Sequence, residues 1–124
     1  MAETQAFKDY LQRVIRAGRD AGYAAVLDEA RKIGGAMKNA VPRESGNLAD
    51  SIILETNPKA ARVRIMAGGA KTMTPNRTDY ALHQEYGTQK MPAHPFFWPS
   101  WRAGRGRARR AIAKATKLAI ERTK

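Results

Sequence analysis

The stretch from Phe7 to Val41, FKDYLQRVIRAGRDAGYAAVLDEARKIGGAMKNAV, decides the fold because one apolar period runs through all of it. Its apolar residues recur at steps of three and four, which is the spacing of one face of an α-helix. About 38 helical residues would span roughly 57 Å, which is longer than a globule of this chain length is wide. The stretch therefore predicts a long amphipathic helix that bends, breaks or projects into a partner.

Two glycines, Gly18 and Gly22, lie in the middle of this helix. Each costs about 1 kcal/mol relative to alanine at such a position, so they mark the place for a break or for a close crossing with another element. Pro42 predicts the end of the helix, because the residue before a proline is pushed out of the α region.

A β-hairpin is predicted after the helix. Residues 41–53 are rich in turn formers and predict a structured turn. Apolar and polar side chains then alternate over residues 61–67, which is the period of a half-buried strand. Residues 52–56 offer a partner strand across the turn at Asn57 and Pro58.

The segment after the hairpin is harder to assign from its pattern. Residues 68–77 have no period and much turn chemistry, and they predict a mobile loop. Residues 78–88 suit either a strand or a short helix. A cap at Thr78 and a terminal glycine at Gly87 favour the helix.

Three prolines and four aromatic residues fill residues 91–101, which excludes a regular helix or a central strand up to Pro99. Pro99 suits the first turn of a C-terminal helix. Gly104 and Gly106 weaken the start of that helix, so its firm part is predicted to begin near Arg107. The whole pattern predicts a single α+β domain over residues 1–124.

The charge of the chain is concentrated at one end. Lys and Arg exceed Asp and Glu by 23 to 11, a formal charge of +12, and residues 102–124 hold nine basic residues and one acid. Such asymmetry is typical of an electrostatic contact surface, and a solvated helix face is the plainer interpretation. We call residues 102–124 the basic arm and expect it to be helical. Its predicted contact residues include Arg105, Arg107, Arg109 and Arg110.

An enzyme is the weaker hypothesis for this chain. The absence of cysteine excludes disulfides and thiolate chemistry, and no metal-binding spacing surrounds His83 or His94. We expect no catalytic residues, cofactor or metal. No apolar stretch is long enough to cross a membrane and the N-terminus lacks a signal-peptide pattern, so a soluble, unsecreted protein is expected.

The aromatic residues of the proline-rich segment have two interpretations. Phe96 and Phe97 are predicted to fill the core, whereas Trp98 and Trp101, with Tyr86, are the rigid aromatic anchors that protein interfaces favour. Both interpretations hold if one face of the segment packs inward and the other outward.

Three short motifs that follow one another along the chain resemble the motifs of a known family. The first resembles P-x-x-[ST]-G-x-L-x-x-S-[IL], the second Y-A-x-x-[VQ]-E-[FY]-G-T and the third P-F-[FL]-x-P-[AS]. Together they resemble the small head–tail joining or tail-completion proteins of long-tailed bacteriophages and prophages. The matching residues are Pro42, Ser45, Gly46, Leu48, Ser51, Ile52, Tyr80, Ala81, Glu85, Tyr86, Gly87, Thr88, Pro95, Phe96, Phe97, Pro99 and Ser100.

The resemblance implies a structural protein of the virion that assembles as a ring at the neck or at the tail end, made in the cytoplasm of a bacterial host. Its implied partners are further copies of itself, the tail tube and connector or portal-associated proteins, with transient contact to packaged DNA and no membrane. It implies that Leu48 plugs the core, that Gly87 adopts positive φ and that Glu85 is available to pair with a basic residue of its own or of the next subunit. The alternative is a basic nucleic-acid-binding accessory protein, motivated by residues 102–124.

Overall fold

The computed structural model describes residues 2–42, 46–76 and 78–123 and confirms the α+β class. Four α-helices flank a two-stranded antiparallel sheet and a short 3₁₀ turn. In chain order the elements are α1 (Ala2–Ala40), α2 (Gly46–Asp50), β1 (Ile53–Asn57), β2 (Arg62–Met66), the 3₁₀ turn (Ala70–Thr72), α3 (Tyr80–Tyr86) and α4 (Trp98–Thr123).

Helix α1 is continuous over 39 residues, so the break considered at Gly18 or Gly22 does not occur. The two glycines instead form the predicted close crossing, because α4 packs directly on them. A Cβ at position 22 would lie 2.9 Å from the Thr116 hydroxyl, and one at position 18 would lie 3.1 Å from Ile120. The helix remains intact because the burial of α4 against the bare backbone offsets the low helix propensity of glycine.

Helix α4 lies antiparallel along α1, with Gly104 against Ile33 near one end and Ile120 against Gly18 near the other. It begins at Trp98, so the prediction of a firm start near Arg107 is wrong, while Pro99 lies in the first turn as predicted. The early glycines do not prevent a start at Trp98, and Gly104 is buried in the contact with Ile33.

Helix α1 extends beyond the partner that covers it. Since Ile120 packs at the level of Gly18, the described end of α4 at Thr123 reaches about the level of Ile15. The preceding turns of α1, residues 4–15, form what we call the N-terminal arm. Phe7 is 60% exposed and Ile15 is 65% exposed on it, and Leu11 between them is exposed too.

The predicted hairpin is confirmed, with strands that each differ from the predicted ranges by one residue at their ends. Ile53 pairs with Met66 and Asn57 with Arg62, and the Asn57 side chain accepts a hydrogen bond from the Ala60 backbone N–H at 3.1 Å within the turn. Along β2 the side chains alternate between the two faces of the hairpin, and Val63 and Ile65 are half-buried on one of them. The strand thus presents an apolar face toward the helices and a polar face to solvent.

The core lies where α1, α2, α3 and the proline-rich segment meet. Leu48 is fully buried there, as expected, beside Met37, Ile52 and Phe96. The predicted turn over residues 41–53 contains the short helix α2, which places Leu48 inward. Helix α1 ends at Ala40, two residues before Pro42, and the motif residue Ser45 lies outside the described residues.

Ser51 closes this corner of the fold with two hydrogen bonds. Its hydroxyl donates to the Leu48 carbonyl at 2.6 Å and accepts from the Gly68 backbone N–H at 3.0 Å. The side chain therefore joins α2 to the start of the segment after β2, across 17 residues of sequence.

Candidate interaction surface

Glu85 organises the second and third motifs. Its carboxylate is buried and accepts hydrogen bonds from the backbone N–H groups of Phe96 and Phe97 at 2.9 Å each and of Trp98 at 3.1 Å. These groups lead into the N-terminus of α4, where unpaired N–H groups favour a negative charge. Among the described residues no basic side chain pairs with Glu85, because backbone donors occupy the carboxylate. Its pairing with a basic residue of the next subunit stays a prediction.

Helix α3 positions Glu85 and clamps the proline-rich segment. Its last turn is closed by Gly87, whose φ of 75° confirms the expected positive value and whose N–H donates to the His83 carbonyl at 2.7 Å. Gln84 holds His94 in both directions: its carbonyl accepts from the His94 N–H at 2.9 Å, and its amide donates to the His94 carbonyl at 3.2 Å.

Asp79, which the sequence pattern does not single out, is the N-cap of α3 in place of the predicted Thr78. Its carboxylate accepts from the Ala81 and Gly69 backbone N–H groups at 3.0 Å each and from the Thr72 hydroxyl at 2.6 Å. Within residues 68–77, predicted to be a mobile loop, residues 70–72 therefore form a 3₁₀ turn that Asp79 ties to α3. Burial raises the pKa of Asp79, but these hydrogen bonds and nearby His83 together lower it below its ordinary value.

An ion pair between the buried Glu29 and the half-exposed Arg107 joins α1 to α4. The Glu29 side chain is enclosed and its carboxylate lies 3.1 Å from Arg107 Nε and 3.2 Å from Lys32 Nζ. Burial raises the pKa of Glu29, but the hydrogen bonds and charges of Lys32 and Arg107 outweigh it, and the pKa is lowered. Arg107, predicted as an interface residue, is thus held by its own chain.

We expect acid to destabilise the fold through Glu29 and Asp79. Because both folded pKa values are lowered, both carboxylates stabilise the fold above their ordinary values of 4.5 and 3.8, and this contribution is lost as pH falls through the folded values. The urea midpoint should therefore fall between about pH 6 and about pH 3.

Neutral variants separate this effect from general acid sensitivity. The combined Glu29→Gln and Asp79→Asn protein should be less stable at pH 6 and lose less stability on acidification, whereas Asp50→Asn, at an exposed site, should follow the unmodified chain. Equal acid slopes in all three proteins would contradict the assignment.

An apolar groove of about 350 Å³ lies between α1, β2 and α4. Val63 and Ile65 line the groove from β2, and Trp101 and Ile112 line it from α4. Phe97, just before α4, lines it too. We call it the tryptophan groove, because Trp98 and Trp101, the two tryptophans of the chain, both line it. They are 43% and 39% exposed, as an interface role requires.

The aromatic residues around Trp98 hold one another in place. Phe97 packs edge-on against Trp98, with ring centroids 4.9 Å apart, and against the buried Phe96 at 6.4 Å. Trp98 Nε1 donates to the Tyr86 hydroxyl at 2.8 Å, so the exposed Tyr86 is fixed to the start of α4. Segment and helix therefore present a preformed aromatic surface, with Phe96 facing the core as predicted.

The other predicted basic residues of α4 are exposed. Arg105, Arg109 and Arg110 lie at the surface, and within the described ranges no carboxylate oxygen lies within 4.0 Å of their side-chain nitrogens. Of the four predicted arginines, three are thus available for contact.

Among the described residues, no group of three or more His, Asp or Glu side chains is arranged to hold a metal ion. No helix in residues 2–42, 46–76 or 78–123 combines the length and apolarity needed to cross a membrane. Comparisons with protein-family models, curated proteins and solved structures find no match for this chain.

Proposed function

We propose that this chain is a structural subunit of a tailed bacteriophage or prophage, without enzymatic activity. It assembles as a ring at the head–tail junction or at the tail end and contacts the tail tube and connector or portal-associated proteins. The proposal rests on the three ordered motifs, and the observation that carries its self-association is the uncovered N-terminal arm of α1.

The motif residues support the resemblance because they act on one another. Leu48 of the first motif, Ala81 of the second and Phe96 of the third share one buried cluster. Glu85 of the second motif accepts hydrogen bonds from the backbone of Phe96 and Phe97 in the third. Three short patterns that are each weak alone thus form one physical unit.

The N-terminal arm is suited to contact between copies. Phe7, Leu11 and Ile15 follow one another at one-turn intervals and continue the side of α1 that packs on α4 further along. The charged residues of the arm are Lys8, Asp9 and Arg13, a net charge of about +1, so the strong charge of α4 does not oppose association here. We call the row of Phe7, Leu11 and Ile15 the apolar stripe. A neighbouring subunit would cover this stripe, as ring closure requires.

Charge on this stripe should prevent assembly. We expect the unmodified protein to form a particle many times the 13.7 kDa of one chain, and the Phe7→Asp, Ile15→Asp variant to be a monomer, because each carboxylate would be buried unpaired. Light scattering over a concentration series measures this, with circular dichroism to check folding.

The matched control carries the same two charges off the stripe. Ala6→Asp with Gln12→Asp, both at exposed positions of the arm, should assemble normally. If the unmodified chain stays a monomer at every concentration, alone and with tail-tube or connector protein, the proposal fails.

Nucleic-acid binding is the second candidate, favoured by the exposed Arg105, Arg109 and Arg110. Its signature is DNA affinity that falls steeply with salt and is lost when these three become alanine, whereas Arg107, held by Glu29, should matter less. Absence of DNA binding at about 50 mM salt removes this candidate.

A further inference from the structure

The two strands of the hairpin each have an open edge. The sheet consists of β1 and β2, and within the described ranges no backbone hydrogen bond joins either strand to a third segment. Alternate residues of each strand therefore direct their N–H and C=O groups away from the partner strand, with no further strand to receive them. Both strands are five residues long, so the two edges match in length.

The solvent face of the hairpin has a different chemistry on each strand. Its cross-strand pairs are Ile53 with Met66, Glu55 with Arg64 and Asn57 with Arg62. The first pair is apolar and yet exposed, at 52% for Ile53 and 38% for Met66. The second is an ion pair of 3.8 Å between half-exposed side chains. On this face β1 therefore carries the acid and β2 the two bases.

This arrangement makes the two edges complementary to each other and not to themselves. If β1 of one copy pairs antiparallel with β2 of the next in the register of the hairpin, Glu55 again faces Arg64 and Ile53 again faces Met66. Two β1 strands paired about their centres would put Glu55 against Glu55, and two β2 strands would put Arg64 against Arg64. Like charges directly opposite one another destabilise a strand pair, so the charges favour contact between unlike edges.

We propose that the hairpins of neighbouring copies form one continuous antiparallel sheet, in which β1 of each copy pairs with β2 of the next. A contact between two different edges is head-to-tail, and such contacts generate a ring when the rotation closes. The inference rests on the proposed function for the ring itself, and it names the strands through which neighbouring copies meet. A pairing of five-residue strands is marginal alone, so it adds to the contact of the N-terminal arm.

Cysteine cross-linking locates this contact, because the chain has no cysteine of its own. Ile53→Cys protein co-assembled with Met66→Cys protein should form a dimer with a short thiol-reactive cross-linker, since opposite positions have Cβ atoms about 5 Å apart. Asn57→Cys with Met66→Cys is the matched control. These two positions would lie four residues out of register, about 13 Å apart, and should yield about tenfold less dimer on a denaturing gel.

Charge reversal tests which edges meet. Glu55→Arg makes both edges of a copy positive, and Arg62→Glu with Arg64→Glu makes both negative. Each protein alone should need about tenfold higher concentration to assemble, because like charges then face each other at every contact. An equal mixture should assemble like the unmodified chain, since positive and negative edges alternate. Asp50→Arg, the same charge change at an exposed position outside the strands, should leave assembly unchanged.

Three results would overturn the inference. The first is a particle in which Ile53→Cys and Met66→Cys do not cross-link, which leaves the edges to a strand of another protein. The second is a cross-link between Ile53→Cys and Asn57→Cys, which would show that two β1 strands meet. The third is a charge-reversed mixture that assembles no better than its components. In each case light scattering still shows the particle, whereas failure of the ring proposal appears as a monomer at every concentration and removes this inference too.

Discussion

Replacement of Glu85 by alanine is expected to lower the free energy of unfolding by about 2–4 kcal/mol. Glu85 is only 8% exposed, and its carboxylate accepts hydrogen bonds from the backbone N–H groups of Phe96, Phe97 and Trp98. Alanine leaves these three donors without their acceptor at the start of a 26-residue helix. It also removes the negative charge that this helix end favours.

Chemical unfolding of three proteins tests this expectation. Glu85→Gln keeps the shape and one acceptor oxygen, so it should lose less stability than Glu85→Ala. Glu121→Ala removes an acid from an exposed position of α4 and should change stability by less than about 0.5 kcal/mol. If Glu85→Ala and Glu121→Ala have the same midpoint and slope in urea, Glu85 does not hold the start of α4.

Local pattern predicted the elements of this fold well, because each has a period or an end signal within a few residues. The alternation of residues 61–67 predicted β2, and the continuous apolar period from Phe7 predicted α1. The intact helix at Gly18 could not be predicted in the same way. Whether a glycine breaks a helix or admits a neighbour depends on α4, about 100 residues further along the chain.

The polar contacts of the site were missed for the same reason. Glu85 was identified as important, but its acceptor role depends on backbone groups 11 to 13 residues away in an irregular segment. Glu29 lies within the apolar period of α1, and a lone acid at such a position is a usable signal for a buried partner. The partner is Arg107, 78 residues away, and the spacing along the chain does not indicate it.

The three-dimensional arrangement refines the meaning of the charge. The basic arm is not free along its length, because α4 packs on α1 and Arg107 is bound by Glu29. The exposed basic residues of the arm include Arg105, Arg109 and Arg110.

The contact of Gly104 in α4 with Ile33 in α1 gives the second large prediction. A Cβ at position 104 would lie 2.7 Å from Ile33 Cγ1, and Ile33 is buried in the core. We expect Gly104→Leu to cost about 2–4 kcal/mol, because overpacking a buried helix contact exceeds the gain of about 1 kcal/mol in helix propensity. At Gly35 no atom lies within 4 Å of such a Cβ, so Gly35→Ala should gain about 0.5–1 kcal/mol.

The two predicted changes in the free energy of unfolding have opposite signs, although both substitutions add side-chain atoms to a helical glycine. Their comparison therefore separates packing from helix propensity. Gly104→Ala made together with Ile33→Ala should be more stable than the sum of the two single changes, because the new methyl group enters the space that Ile33 leaves. Additive losses in urea unfolding would show that the two side chains do not share that space. The interaction energy therefore reports directly on the packing of Gly104 against Ile33, which fixes α4 on α1.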